Sequence, residues 1–410
     1  MNKRFYPLAA FLVLVIVIMA CASPISNGGD QPAPSGDDEV ATVVAMTLQA
    51  LTPASDSGIS PEPEEPAGLL PHTFCYLGTD NVGLTQVFRI ERDGKTQKQL
   101  TLEPVNVEDY DVSPVDGSVV YVVNNQMLLV NADGSGRRVL VVGGIVDENN
   151  PFENKISSPV FSPNGQTIAF GHGGLNFWAV SANVSNFVIA NQWDDFGGGQ
   201  LIPKELYWPE KYSPDGSKLL ITLGYYEGAS AAIYYPESKA LVRLEGGEGA
   251  LICCDQTQWS ADGASFYSAS ATAGMFNSGL WKVDASNGEV TTLFTSNYDT
   301  STFNYAYKPY LAPDNQLYYF FLTTNSEINT RTPLQLVRSA PDGVTGRTVL
   351  RTDTFQLMNE ALWAPDASFI IVAYAPIQDV YQGGQAEVVY FDGRPSVVLA
   401  NYAQEMKWGP

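Results

Sequence analysis

Charged residues recur at one place in this chain, just ahead of a turn. Glu108, Asp109 and Asp111 precede "VSPVDG". Glu210 and Lys211 precede "YSPDG". Lys308 precedes "PYLAPDN", Glu360 precedes "ALWAPDAS", and Glu405 and Lys407 precede the closing "WGP". Two carboxylates held about 5–9.5 Å apart can do acid–base work on a glycosidic bond without histidine. Lysines among them can take an acidic group of a ligand. The remaining chemistry is sparse. His72 and His172 do not form a metal pair by spacing. There is no Gly-x-Ser-x-Gly elbow, no hydrolase-sized domain after the repeats, and no Ser-x-Asp-x-Gly-x-x-Trp box. The Asp-Gly pairs lack the alternating oxygen ligands that Ca²⁺ needs. No cofactor and no metal are expected. The charges are either a solvated rim or a site of mixed charge.

The elements that carry these residues repeat. In "YSPDGSKLLITLG" (residues 212–224), proline presets φ for a turn, aspartate bonds back to the backbone and glycine accepts positive φ. The apolar run that follows is a strand. Copies begin at Val112, Phe161, Tyr212, Trp259, Leu311, Trp363 and Trp408. The second turn position falls at Pro114, Pro163, Pro214, Ala261, Pro313, Pro365 and Pro410, with spacings of 49, 51, 47, 52, 52 and 45 residues. Each copy continues into a second strand pair, as in "MLLVNADGSGRRVLV" and "LWKVDASNGEVTTLF". Four short strands at this period describe a β-propeller blade. The residue before each turn is apolar every time, which reads as packing between neighbouring blades.

The ends of the repeat region complement each other. The first unit (residues 73–101) lacks an opening strand, and residues 404–410 are an opening strand without a unit. Joined, they make one blade and remove an open edge. The expected fold is therefore all-β, a seven-bladed β-propeller over residues 72–410. Six or eight blades are the alternatives.

The aromatic residue, the Ser-Pro-Asp-Gly turn, the apolar strand and then "VNADGSGRRVL" together resemble the WD-like repeats of the TolB-type β-propeller. The resemblance spans most of residues 73–410. It implies the propeller fold. TolB itself is similar to a six-bladed ring behind an α/β domain, whereas this chain has a tether there and seven units, so TolB's envelope role and partners are not carried over. Gly171-His172 and Trp193-Asp194 do not match the WD signature in spacing.

The start of the chain places it. Residues 1–21 have a basic start, an apolar run, and Ile18, Met19 and Ala20 before Cys21. That is a signal peptide pattern. It resembles a bacterial lipobox, which implies cleavage before Cys21 and a lipid on its sulfur. An uncleaved membrane anchor is the alternative, and either puts the domain outside the cytoplasmic membrane, on its outer face or in the cell envelope. Residues 22–71 hold eight prolines and eight acidic residues with no Lys or Arg. Such a segment buries too little apolar surface to fold. A helical spacing at Val40, Val44, Leu48 and Leu51 is too short to stand alone, so a disordered tether spanning on the order of 40 Å is expected.

The chain has a net charge of −22, and the repeat region, with 20 basic and 36 acidic residues, has −16. This excludes nucleic acid as a partner and electrostatic attachment to anionic lipid. Cys75 sits in a strand pattern and reads as a small buried hydrophobe. Cys253 and Cys254 are either bridged to each other or two free thiols, since a bridge from Cys75 would have to cross the ring. The combined expectation is a monomeric, lipid-anchored, non-catalytic scaffold. It would bind a protein, peptide or glycan at the channel mouth through Asp109, Asp111, Lys211, Lys308, Glu360 and Lys407, in loops ahead of the opening strands. The alternative is a propeller lyase or glycan-active hydrolase using the mouth carboxylates.

Overall fold

The computed structural model describes residues 68–410, except 148–149, 198–200, 255–256, 273–274 and 329. The leader, Cys21 and residues 22–67 lie outside the described residues. The regular structure of the described residues is antiparallel strand, apart from one short parallel pair and a 3₁₀ turn at Pro151–Glu153.

The turn chemistry is what the residue types dictate. Ser213 Oγ donates to Asp215 Oδ1 at 2.6 Å, the Ser217 N–H donates to the same oxygen at 3.0 Å, and Gly216 takes φ +72°. The hydroxyls of Ser213 and Ser217 hold the Asp215 carboxyl down at about 2. Ser260 and Asp262 repeat the arrangement. At the equivalent glycine position, Ala367 is forced to φ +53°, where a Cβ costs about 1–2 kcal/mol.

Strands pair in chain order within each repeat, for example Asp109–Val112, Val119–Val123, Gln126–Val130 and Arg138–Val142. Two repeats depart from four strands. The Gln192–Asp195 strand adds a hairpin to the first half of the long Leu201–Tyr212 strand, and Glu245–Gly246 runs parallel to the start of Glu289–Thr295. The expected column before each turn is core. Val112, Phe161, Trp259 and Trp363 are buried, and Tyr212, Leu311 and Trp408 pack partly buried, each in a different apolar cluster.

The termini do share a sheet. Val397–Trp408 pairs with Gly384–Tyr390 along its first half and with Phe74–Thr79 along its second, where Leu77 faces Gln404, Cys75 faces Lys407 and Phe74 faces Trp408. The Gly409 N–H donates to the Thr73 carbonyl at 2.8 Å. The folded chain also begins earlier than residue 72. Leu70 is buried, and its N–H donates to the Arg92 carbonyl at 3.0 Å.

Antiparallel order gives the molecule two ends. First-to-second and third-to-fourth connections lie at one end, with the Ser-Pro-Asp-Gly turns and the entry of the chain at Leu70. Second-to-third and repeat-to-repeat connections lie at the other, which has two-residue turns at 124–125, 172–173 and 226–227 but also long loops such as 100–108 and 375–383.

Candidate functional site: a central channel

The first strand of each repeat is an edge strand. One side pairs with the second strand, and the other presents unpaired N–H groups, which must be satisfied or left to water. Proline is tolerated on such an edge, and Pro159, Pro209 and Pro309 all sit there. The register slips beside each of them, and again at 358–360. Ser158, Lys308 and Glu405 are left-handed at these irregularities, with φ of 53°, 45° and 52°. A bulge of this kind bends the strand and re-aims its side chains.

Carboxylates of one inner strand reach forward to the free N–H groups of the next. Asp109 accepts from Ser158 N at 2.8 Å and Asp111 from Phe161 N at 2.7 Å. Glu360 accepts from Met406 N at 3.2 Å, and Glu210 accepts from Cys254 N at 2.6 Å, in the loop ahead of the Thr257–Trp259 strand. Charge-assisted bonds of this kind contribute about 1.5–3 kcal/mol each. Lysines reach forward too. Lys211 Nζ donates to the Thr257 carbonyl at 2.8 Å, and Lys407 Nζ donates to the Tyr110 carbonyl and pairs with Asp111 at 3.2 Å. Tryptophans reach backward. Trp259 Nε1 donates to the Lys211 carbonyl at 3.3 Å, Trp363 Nε1 to Lys308 at 2.9 Å and Trp408 Nε1 to Trp363 at 2.7 Å. The Lys407–Tyr110 link brings the last inner strand back to the first, which closes the succession.

The fold is a β-propeller. No protein-family model and no curated protein matches the sequence. Solved structures do. TolB from Acinetobacter baumannii is 14% identical, with 79% of this chain and 77% of that one covered at a TM-score of 0.41. A putative TolB from Agrobacterium tumefaciens is 16% identical, covering 75% and 98% at 0.41. A prolyl endopeptidase is 11% identical over 82% of this chain at a TM-score of 0.51, and this chain spans 49% of its length. Identities this low show the fold alone.

The inner strands surround one cavity of about 1020 Å³. All six residues singled out by sequence line it: Asp109, Asp111, Lys211, Lys308, Glu360 and Lys407, joined by Glu210 and Glu405. Their placement differs from expectation in one respect. They stand on the inner strands themselves, not on loops ahead of them. Pro114, Pro163, Pro214 and Pro365 line the cavity at the turn end, and Tyr225 and Cys254 at the other. Among the described residues, no group of three His, Cys, Asp or Glu is placed to hold a metal.

Burial sets the electrostatics. It raises the Asp109 carboxyl above the usual range, against the pull of Lys407 and the Ser158 N–H. It also favours the neutral form of Lys407, but Asp111, Asp109 and Glu405 outweigh it and hold the ammonium charged above the ordinary lysine range. Burial pushes the Cys75 thiol up to about 12, so this buried free cysteine is inert.

Sequence reasoning missed the hydrogen-bonding role of the channel acids. The signal was there in Ser158-Pro159, Trp208-Pro209 and Lys308-Pro309. A proline two or three residues before the apolar residue at the turn marks an edge strand whose neighbours lack a ladder partner. Sequence reasoning also missed a smaller cavity of about 240 Å³ beside His172, between Phe152 and Trp208. Burial there lowers the His172 pKa.

Proposed function

We propose that this protein is a lipid-anchored, extracytoplasmic, seven-bladed propeller that acts as a binding scaffold and takes a polar ligand, a peptide or a glycan, into its central channel. The observation that supports it is convergence: charged side chains from sequence-distant repeats line one cavity of about 1020 Å³ that also carries tryptophan and tyrosine. Such a wall discriminates, because a polar ligand must match its groups or lose affinity to desolvation. The seven-blade count follows from reading Val397–Trp408 as shared by two four-stranded blades. The enzyme reading draws less support, because Asp109, Asp111, Glu210 and Glu360 already accept backbone N–H groups from the neighbouring repeat.

A peptide and glycan panel probed with the protein tests the channel. Lys308→Ala is expected to weaken the best hit by about tenfold, the loss of one charge-assisted contact. Lys211→Ala is expected to weaken binding and also to lower melting, because Lys211 bonds Thr257 across a seam. Unchanged binding by both variants means that the channel is not the site.

Two covalent features belong to the same reading. Cys21 carries lipid as the mature N-terminus. Cys253 and Cys254, whose sulfurs lie 2.12 Å apart, are bonded to each other. Intact mass after alkylation is expected to show one diacylglyceryl group, one slow-reacting thiol at Cys75 and no label at residues 253 and 254. Cys21→Ser is expected to leave the membrane fraction. Retention there would point to an uncleaved anchor.

A further inference from the structure

Exposed apolar side chains are distributed unequally between the two ends of the propeller. At the turn end, among the described residues, the connections carry Val115 and Val344. The long-loop end carries Leu102, Ile145, Phe196, Tyr226, Met275 and Tyr381, drawn from six different connections. Ile145 is 93% exposed, Met275 89%, Leu102 83% and Phe196 76%, so these rings and chains are not folded back onto the core. Single exposed apolar residues need no explanation, but their concentration on one face does.

The same end is acidic. Asp194, Glu227, Asp299, Glu327 and Asp379 are exposed there. Of its bases, Lys204 is exposed, Arg331 lies over the Tyr381 ring and donates to the Gln378 and Val380 carbonyls, and Lys155 and Arg243 are paired with Glu108 and Glu205. The described chain enters at the opposite end, at Leu70 and Thr73. An acidic face repels the anionic surface of a membrane.

We propose that the long-loop face is a protein-docking surface, and that its partner presents a segment in which Lys or Arg residues flank aliphatic or aromatic side chains. Apolar side chains of the partner bury those of the face, and its cations meet the surrounding acids. This complementarity sets the rate of encounter and the orientation, and the apolar contacts set the residence time. The docking does not depend on the channel reading, because its residues are loop tips and not inner-strand side chains.

The test uses the mature protein and defined probes: an amphipathic leucine–lysine peptide, a leucine–glutamate peptide of equal length, a serine–lysine peptide, and phosphatidylglycerol vesicles. Fluorescence anisotropy should show the leucine–lysine peptide binding, and binding should weaken as salt is raised. Combining Leu102→Ser, Ile145→Ser, Phe196→Ser and Met275→Ser should weaken it by about tenfold or more. Val115→Ser with Val344→Ser should leave it unchanged, and so should Lys308→Ala. Ile145→Ser alone keeps the test open if the combined variant folds poorly. The proposal is overturned if the leucine–lysine peptide does not bind, if the leucine–glutamate or serine–lysine peptide binds as well, if the turn-end variants cause the same loss, or if the vesicles bind in its place.

Discussion

Deleting residues 404–410 is expected to destabilise the domain by several kcal/mol. Three things are lost together. The ladder to Phe74–Thr79 goes, exposing an unpaired strand edge. Trp408 goes too, which packs on Phe74 and Phe369 with ring centroids 6.3 Å apart in both cases and bonds Trp363 through its indole. Removing a large buried aromatic costs about 3–5 kcal/mol, and Trp408 is only partly buried, so its share lies toward the lower figure. Lastly, Lys407 leaves Asp111 and the Tyr110 carbonyl, and the Tyr110 hydroxyl loses the Glu405 carbonyl it donates to at 2.7 Å. A melting temperature lower by roughly 10 °C is expected. An unchanged one would mean that the ring closes without the tail.

Lys407→Met is the second large effect. Removing one partner of a buried ion pair costs about 3–5 kcal/mol, because the other charge stays buried and unpaired. Here Lys407 and Asp111 keep 31% and 17% of their side-chain surface open to the channel, and screening by water reduces the figure to about 2–3 kcal/mol. The pH dependence carries the signature. In the native protein Lys407 is raised, so its stabilisation is complete below the ordinary lysine pKa and is lost as the pH climbs through the higher folded value. Asp109 is raised as well, so its ionisation costs stability: the domain gains as pH falls through the folded value toward the ordinary aspartate range. Without Lys407 the pull that lowers Asp109 is gone, and its folded value rises further. Urea midpoints of Lys407→Met should therefore approach wild type as the pH is lowered toward the ordinary aspartate range and fall away as it is raised. A deficit that is constant with pH would show that the loss is packing of the lysine stem and not its charge.

Much of the fold was legible because its turns are chemically explicit. Ser213, Pro214, Asp215 and Gly216 each have one job in the turn, and the apolar residue before the turn appears every time. Even degenerate copies stay readable: Ala367 holds a glycine position at the cost of strain, and Asn315 does the same at φ 59°. The extra hairpin at Gln192–Asp195 was not legible, since its strand has no apolar alternation to set it apart from a loop. The common placement of the six candidate residues was legible, since all six line one cavity. Their roles were not. A carboxylate that accepts a neighbour's N–H and one that waits for a ligand have the same identity and spacing. Only the bulged register, with Ser158 and Lys308 left-handed, shows which N–H groups stand unpaired and which acid meets them.

The central claim is that the channel receives the ligand. The most direct measurement is a crystal structure of the protein with the best hit from the peptide and glycan panel. Density is predicted inside the cavity of about 1020 Å³, within contact of Lys211 or Lys308. Density on the outer strands, with the channel holding only water, would contradict it and make the channel charges a framework that ties the blades together.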